Sequence, residues 1–375
     1  MWTTKRYTGR ITILEEEKVG TVVRIHSNYY YIDCENIIWE CMLRNKRKKE
    51  GIEPKVGDRV VISEFKIVTE DDIIKNYSAV ITQIIPRKNE LNKPNISNID
   101  QIVIVTSTYN PDFNPLLLDK FIVLSESHNI TPLICVNKSD HIDDELKEYF
   151  EETYKKIGYE VVYTSAIEKK GIDELLEHMV DKVSVLTGVS GSGKSSLINA
   201  IDPNLKLDVS EVSKNLGSGR HTTRHVSLQK LKYKDKYAFI ADTPGFSYIE
   251  LNYIHPKELA WNFIEFAKYI THCPKSDCLH WQEPDCNLKN NIEEDDNRYL
   301  SYINLLQDVI SFHKQNNARS SKKESQVKVS KRADGKDIRV VKLHEAVREN
   351  SRRVVKQDLA ELGKLTDIDD IDEEY

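Results

Sequence analysis

The stretch GVSGSGKSSL carries Gly188, Gly193, Lys194 and Ser195 at the spacing G-x-x-x-x-G-K-S. Glycines placed this way let backbone N–H groups turn inward around phosphate oxygens, and the start of a helix adds its dipole. The run Gly188, Val189, Ser190, Gly191, Ser192, Gly193, Lys194, Ser195 and Ser196 is therefore the expected phosphate cradle. In it Lys194 would neutralise β/γ-phosphate charge and the Ser195 hydroxyl would ligate Mg²⁺. A chance Gly/Ser turn is the alternative, and a strand-like segment before the pattern with a helix-like one after it favours function.

A second stretch, Asn137–Asp140 (NKSD), bears on the choice of base. Guanine offers an acceptor at O6 and a donor at N2, whereas adenine offers neither there. A carboxylate at Asp140 would accept from N1–H and N2–H₂ together. Asn137 would brace the loop, and the stem of Lys138 would lie over the ring. Thr164, Ser165 and Ala166 follow the next strand-like run and would offer backbone N–H groups to O6. Asp242 of DTPG, at another predicted strand end, suits the Mg²⁺-holding role, and the Gly245 amide would meet the γ-phosphate. Each tetrapeptide alone is an ordinary turn; together, at strand ends, they describe a guanine nucleotide site.

The elements that must position these residues are legible. From Ile99 onward strand-like and helix-like runs alternate: DQIVIVTST, PLLLDKFIVLSES, TPLICVN, DDELKEYFEETYKKIG, YEVVYTS, GIDELLEHMV, KVSVLTG and KSSLINAI. Such βα repetition implies a parallel sheet covered by helices. The motif order 137, 164, 188, 222, 242 is a circular permutation of the usual GTPase order. Loops at the carboxyl ends of a parallel sheet meet at one crevice whichever strand comes first, so permutation leaves the site possible.

Before that region, GTVVRIHSNYYYIDC, GDRVVISEF and YSAVITQIIP alternate apolar and polar residues and predict a small β-barrel. PRKNELNKPNISN, polar and with two prolines, reads as a linker. Residues 256–270 look helical and lead into a cysteine cluster. Cys273, Cys278 and Cys286 crowd one window, which points to a metal site in a reducing cytoplasm rather than a disulfide scaffold. With His280 they make a closed tetrahedral Zn²⁺ set without an open position; His272 is a substitute for the imidazole.

The barrel text VGDRV…PRKNELNKPNISNIDQ, the permuted motifs, GSGRHTTR and the cysteine cluster together resemble the circularly permuted GTPase family RsgA (YjeQ), small ribosomal subunit biogenesis factors. The resemblance runs from about residue 8 to 312. It implies a multidomain chain: an OB-like β-barrel at 1–85, a linker at 86–98, a circularly permuted α/β P-loop GTPase domain at 99–250 and a zinc-binding helical domain at 251–312. It favours His280 over His272 as the zinc ligand. It makes Gly217–Arg224 the first switch, with Thr222 or Thr223 on Mg²⁺. Phe246 stands where Ras-like proteins place a water-orienting Gln, so slow intrinsic hydrolysis is expected, and the resemblance assigns His221 to that water. It further implies hydrolysis of GTP with Mg²⁺ and one structural Zn²⁺, docking on the small ribosomal subunit and its rRNA, stimulation by the subunit and release after hydrolysis. A nucleotide-dependent RNA-binding scaffold with little hydrolysis, and an ATP-driven remodeller, are the rivals.

Composition limits the remainder. A chain of 375 residues with 30% charged residues and net charge -6 is no generic polyanion binder. Nucleic-acid contact must come from local patches, Arg44–Lys49 or the basic stretch Lys322–Lys356. No run of about 18 apolar residues and no secretory h-region occurs, so no membrane contact and a cytoplasmic protein are expected; a monomer is the expectation for its assembly, which the sequence itself does not show. Residues 313–375, turning from basic to acidic, read as a flexible tail with one short helix.

Overall fold

In the computed structural model the described residues are 10–14, 16–44, 53–70, 73–202, 226–242, 249–293, 295–321, 327–331 and 337–341. Met1–Val309 is one compact unit and Ile310–Tyr375 another.

The first strands are β1 (Arg10–Leu14), β2 (Lys18–His26), β3 (Tyr29–Cys34), β4 (Ile37–Leu43), β5 (Arg59–Glu70) and β6 (Ile73–Ile84). Period-two burial along β2 and β4 puts one face of each inward. Pairing runs β2–β3–β4–β6–β5 and returns to β2, which closes a five-stranded barrel in which only β4 and β6 are parallel. Closure leaves no open edge within this ring. Val22, Ile32, Trp39, Cys41, Val60, Ile62, Phe65 and Ile81 fill it, with the Trp39 ring edge-on to Phe65 and Tyr77 at 4.6 and 5.2 Å.

The segment read as a linker forms a short ribbon, β7 (Glu90–Leu91) with β8 (Ile96–Ser97). It is fastened to the barrel through buried Asp58, which accepts from Arg87 Nε at 2.8 Å, Arg87 Nη2 at 2.9 Å and the Ser97 hydroxyl. That buried carboxylate is paired and hydrogen-bonded, as burial of a charge requires.

The βα region follows: β9 (Gln101–Ser107), α1 (Pro115–Ser127), β10 (Thr131–Asn137), α2 (Asp144–Phe150), β11 (Glu160–Thr164), α3 (Ile172–Met179), β12 (Val183–Gly188), α4 (Lys194–Ile201), β13 (Ser227–Tyr233) and β14 (Lys236–Asp242). The strand order is β13-β14-β12-β9-β10-β11, parallel except for β13. All seven residues of β9 are buried, which explains the unbroken apolar run IVIV at the centre of the sheet. Asn114 caps α1 by accepting from Leu117 N–H at 3.1 Å, and Pro115 takes the first helical turn. Lys230 of β13 reaches the barrel, bonding Asp33 and Asn36 at 2.5 and 2.6 Å.

Residues 256–270 depart from the helical expectation. They make three short turns, Leu259–Asn262, Ile264–Phe266 and Ala267–Ile270, interrupted at Phe263, whose backbone is extended. The break lets Phe263 stack on Phe266 at 4.9 Å and meet Tyr302 edge-on at 5.5 Å. Burial of those rings outweighs local helix propensity. A long helix, α5 (Asn297–Ser321), then begins with the Asp296 carboxylate accepting from Tyr299 N–H at 2.8 Å. Tyr299, Tyr302, Leu305, Leu306 and Val309 form its buried stripe. In the second unit, β15 (Val327–Lys331) pairs antiparallel with β16 (Asp337–Val341), an element that the flexible-tail reading of this segment did not contain. VKVSK does alternate, but five residues within a basic, polar stretch are too short a run to stand out as a strand. The short helix expected around residues 342–358 lies outside the described residues. Among the described residues no helix is long and apolar enough to cross a membrane.

One buried charge joins α1 to α5. Arg298 donates to Asp119 of α1 and, through Nε at 2.8 Å, to Glu265; its guanidinium lies 4.7 Å from the Phe263 ring. Both Arg298 and Asp119 are buried. Removing one partner of such a pair leaves an uncompensated charge. Arg298→Met should lower unfolding stability by about 3–5 kcal/mol, read from denaturant midpoints. Adding Asp119→Asn to that variant should recover part of the loss.

Candidate functional site

Because β9, β10, β11, β12 and β14 are parallel, their carboxyl ends share one edge of the sheet. Ser107, Asn137 and Thr164 stand side by side in register there, with Asn137 between the other two. Gly188 pairs with Val105 on the opposite side of β9. The loop after β12 thus opens beside the loop after β9, and the loop after β10 lies beyond it.

The loop Gly188–Gly193 has the conformation that its glycines permit. Gly188, Gly191 and Gly193 have φ of 137°, 83° and 88°. A Cβ on Gly188 would meet the Val105 carbonyl oxygen at 2.0 Å, and one on Gly193 would meet Asn137 Nδ2 at 2.3 Å. Only glycine fits such contacts. Lys194 opens α4 and folds its amine onto the carbonyls of Gly188 and Val189 at 2.9 and 2.7 Å. Burial pushes its pKa down to about 8. An anion entering the loop would remove that penalty by supplying the opposite charge. Ser195 and Ser196 follow in the first turn of α4, partly exposed.

Two residues of the NKSD loop hold the phosphate-type loop directly. Asn137, buried, donates from Nδ2 to the Ser192 carbonyl at 2.8 Å and accepts from the Thr164 hydroxyl at 3.2 Å. Lys138, in the left-handed region at φ 59°, sends its amine to the carbonyls of Tyr109 at 3.1 Å, Gly191 at 2.9 Å and Asn110. Its own carbonyl accepts from Thr108 at 2.7 Å. Asp140 follows in a single turn, Ser139–His141. The Ser165 side chain beside it holds its carboxyl below the usual carboxylate range; burial opposes this, and its own backbone N–H, His141 and Lys170 add to it. Ser165 is itself fixed by backbone pairing with Lys170 and by accepting from Glu168 N–H at 3.2 Å. Ala166 is half-buried beside it.

The structure therefore brings Asn137, Lys138, Asp140, Thr164, Ser165, Ala166 and Gly188–Ser196 to one sheet edge. Asp242 ends β14 on the same edge, paired with Ser227. His221, Thr222, Thr223, Gly245 and Phe246 lie outside the described residues, as do Asn45–Lys49 of the basic patch. Tyr109 and Asn110, whose carbonyls anchor Lys138, were not singled out from the sequence, since backbone acceptors leave no residue signature.

Away from that edge, Cys273, Cys278, His280 and Cys286 gather their ligand atoms within 4.8 Å of one another. His280 Nδ1 is 3.4 Å from the sulfurs of both Cys273 and Cys286, which are 3.9 Å apart. A tetrahedron with metal–sulfur bonds of about 2.3 Å has edges of about 3.8 Å, so the set fits a four-coordinate ion. Glu283 braces the loop by accepting from the N–H groups of Leu279, Trp281 and Gln282 at 2.9, 3.1 and 3.2 Å. Tyr299 of α5 donates to the His280 carbonyl at 2.9 Å. Burial lowers the His280 pKa and so favours the neutral, metal-ligating imidazole. His272 instead sits with Nδ1 3.0 Å from the Lys268 carbonyl.

Comparison with known proteins decides the lineage. The RsgA GTPase model matches residues 84–252, and the RsgA N-terminal domain model matches residues 19–71. A protein of Caldanaerobacter subterraneus named small ribosomal subunit biogenesis GTPase RsgA is 41% identical over 293 residues, covering 77% of this chain and 95% of that one. The chain belongs to the RsgA GTPase family. A relative of the same name from Geobacillus thermodenitrificans is 40% identical, covering 76% of this chain and 96% of its own. Among solved structures, YjeQ from Thermotoga maritima is similar at TM-score 0.65 and 35% identity over 79% of this chain and 99% of that one. YloQ, described as a circularly permuted GTPase, is similar at TM-score 0.64 and 32% identity over 79% of this chain and 96% of that one. The RsgA fold thus accounts for the barrel, the permuted sheet and the cysteine-bearing segment of this chain.

The side-chain clamp supplies a test of its own. Asn137→Ala strands the Ser192 carbonyl and leaves the Thr164 hydroxyl only the Cys135 sulfur at 3.3 Å, which should cost about 1–3 kcal/mol. Hydrogen exchange should accelerate at residues 189–194 and stay unchanged in the barrel. Equal exchange in both regions would count against the clamp.

Proposed function

We propose that this chain binds GTP with Mg²⁺ at the carboxyl edge of the permuted sheet, hydrolyses it to GDP and phosphate, and acts in late assembly of the small ribosomal subunit. The observation that carries this reading is the joining of the NKSD loop to the glycine loop by Asn137 and Lys138. A base read by one and a phosphate chain held by the other would belong to a single nucleotide. Family membership supports GTP as the substrate, and the relatives' names support the small subunit as the target.

In this reading the cradle Gly188–Ser196 wraps the phosphates, with Val189, Ser190, Gly191 and Ser192 contributing N–H groups and Lys194 positive charge. Leaving the two carbonyls for a phosphate oxygen would return the Lys194 amine to full protonation. Asp140 accepts from guanine N1–H and N2–H₂, while Thr164, Ser165 and Ala166 border O6. Mg²⁺ would be held by Ser195, Asp242 and Thr222 or Thr223, and would offset charge developing on the phosphates. Gly245 would meet the γ-phosphate, and His221 would orient the attacking water. Cys273, Cys278, His280 and Cys286 hold one Zn²⁺, which supplies a structural cross-link and no reactive position. The chain acts as a cytoplasmic monomer on rRNA, stimulated by the subunit and released after hydrolysis. The domains are taken as 1–85, 86–98, 99–250, 251–312 and 313–375.

The test is GTP turnover with and without purified small subunits. Stimulation of at least tenfold is expected; equal rates would leave only a nucleotide-binding scaffold. Asp140→Asn should lose GTP affinity about 100-fold, because the amide N–H₂ then faces guanine donors. Unaltered GTP affinity would remove guanine from the reading.

A further inference from the structure

The loop that bears Asp140 has a brace outside its motif. His141 Nε2 lies 3.2 Å from Asp140 Oδ2. The His141 ring packs against Tyr109 with centroids 5.0 Å apart and planes inclined at 36°. Tyr109, two residues past the end of β9, also gives its backbone carbonyl to the Lys138 amine at 3.1 Å. One residue thus supports both sides of the Asp140 loop, Lys138 two positions before it through its backbone and His141 just after it through its ring. Tyr109 is 57% exposed and His141 is half exposed, so burial is a poor reason for the pair to be held together.

A carboxylate reads two adjacent donors well only when its plane matches theirs. The terminal torsion of Asp is broad, and nothing intrinsic fixes that plane. Each oxygen carries two acceptor positions, so Oδ2 can take the imidazole N–H and still accept from a base. The His141 imidazole, 3.2 Å from Oδ2, restricts rotation before any nucleotide arrives, which lowers the entropic cost of binding.

We propose that His141 and Tyr109 are positioning residues for guanine selection: His141 sets the plane of the Asp140 carboxylate, and Tyr109 holds His141 in place. This rests on the reading of Asp140 as the guanine-reading group. Two-point recognition of N1–H and N2–H₂ depends on that plane more than one-point recognition of N1–H does. Inosine triphosphate lacks the N2 amine and so separates the two.

The experiment measures GTP and inosine triphosphate affinities for the full chain and its variants. His141→Ala should weaken GTP about tenfold and inosine triphosphate about threefold or less, so the preference narrows. His141→Gln, whose amide N–H₂ can reach the same oxygen, should regain most of the preference. Tyr109→Phe should keep it, and Tyr109→Ala should narrow it. An unchanged preference in His141→Ala, or equal weakening of both nucleotides without rescue by Gln, overturns the inference. The underlying reading fails separately, and takes the inference with it, if Asp140→Asn retains the wild-type GTP preference.

Discussion

Everything at the sheet edge depends on contact between two loops that are far apart in the chain. Asn137 and Ser192 are separated by 55 residues, yet a single amide links them at 2.8 Å. The contact is available because β10 and β12 flank β9 and all three run in the same direction. Gly193 completes the fit, since any side chain there would occupy the space of the Asn137 amide. The geometry is thus set by strand order in space, which a change of strand order in sequence leaves untouched. That is the physical answer to a motif order in which the NKSD loop precedes the glycine loop.

The flanking parts attach to this sheet by different means. The barrel is tied through Lys230 to Asp33 and Asn36, and through the short ribbon pinned at Asp58. The cysteine-bearing segment relies on a compact aromatic cluster and on the Arg298 junction with α1. A stretch this short buries little apolar surface of its own, so a borrowed helix carries much of its stability, and the proposed metal at the Cys/His cluster would add a cross-link. Helix α1 therefore has two roles. The Tyr109–Asn110 segment that anchors Lys138 leads into it, and Asp119 receives Arg298 farther along.

Much of this was legible in the residues. The glycine spacing and the Cys/His cluster each combine residue types that few other purposes require, NKSD gained meaning from its place at a strand end, and β-branched runs marked the strands that present them. Less legible were features made by packing. The turn region 256–270 has helical composition, but burial of Phe263 and Phe266 broke it. The ribbon β15–β16 hid within a basic, polar stretch. The Arg298–Asp119 pair joins residues 179 positions apart with no local pattern at either end. Tyr109 and His141 look like ordinary loop residues until the fold sets their rings together.

The most direct measurement is a residue-resolved GDP titration followed by backbone amide signals. If the loops form one site, signals of Gly191 and Lys194 should shift along with those of Asp140 and Ala166, at one-to-one stoichiometry and with a common dissociation constant. Two different constants, or movement of one loop while the other stays still, would contradict a single guanine nucleotide spanning both.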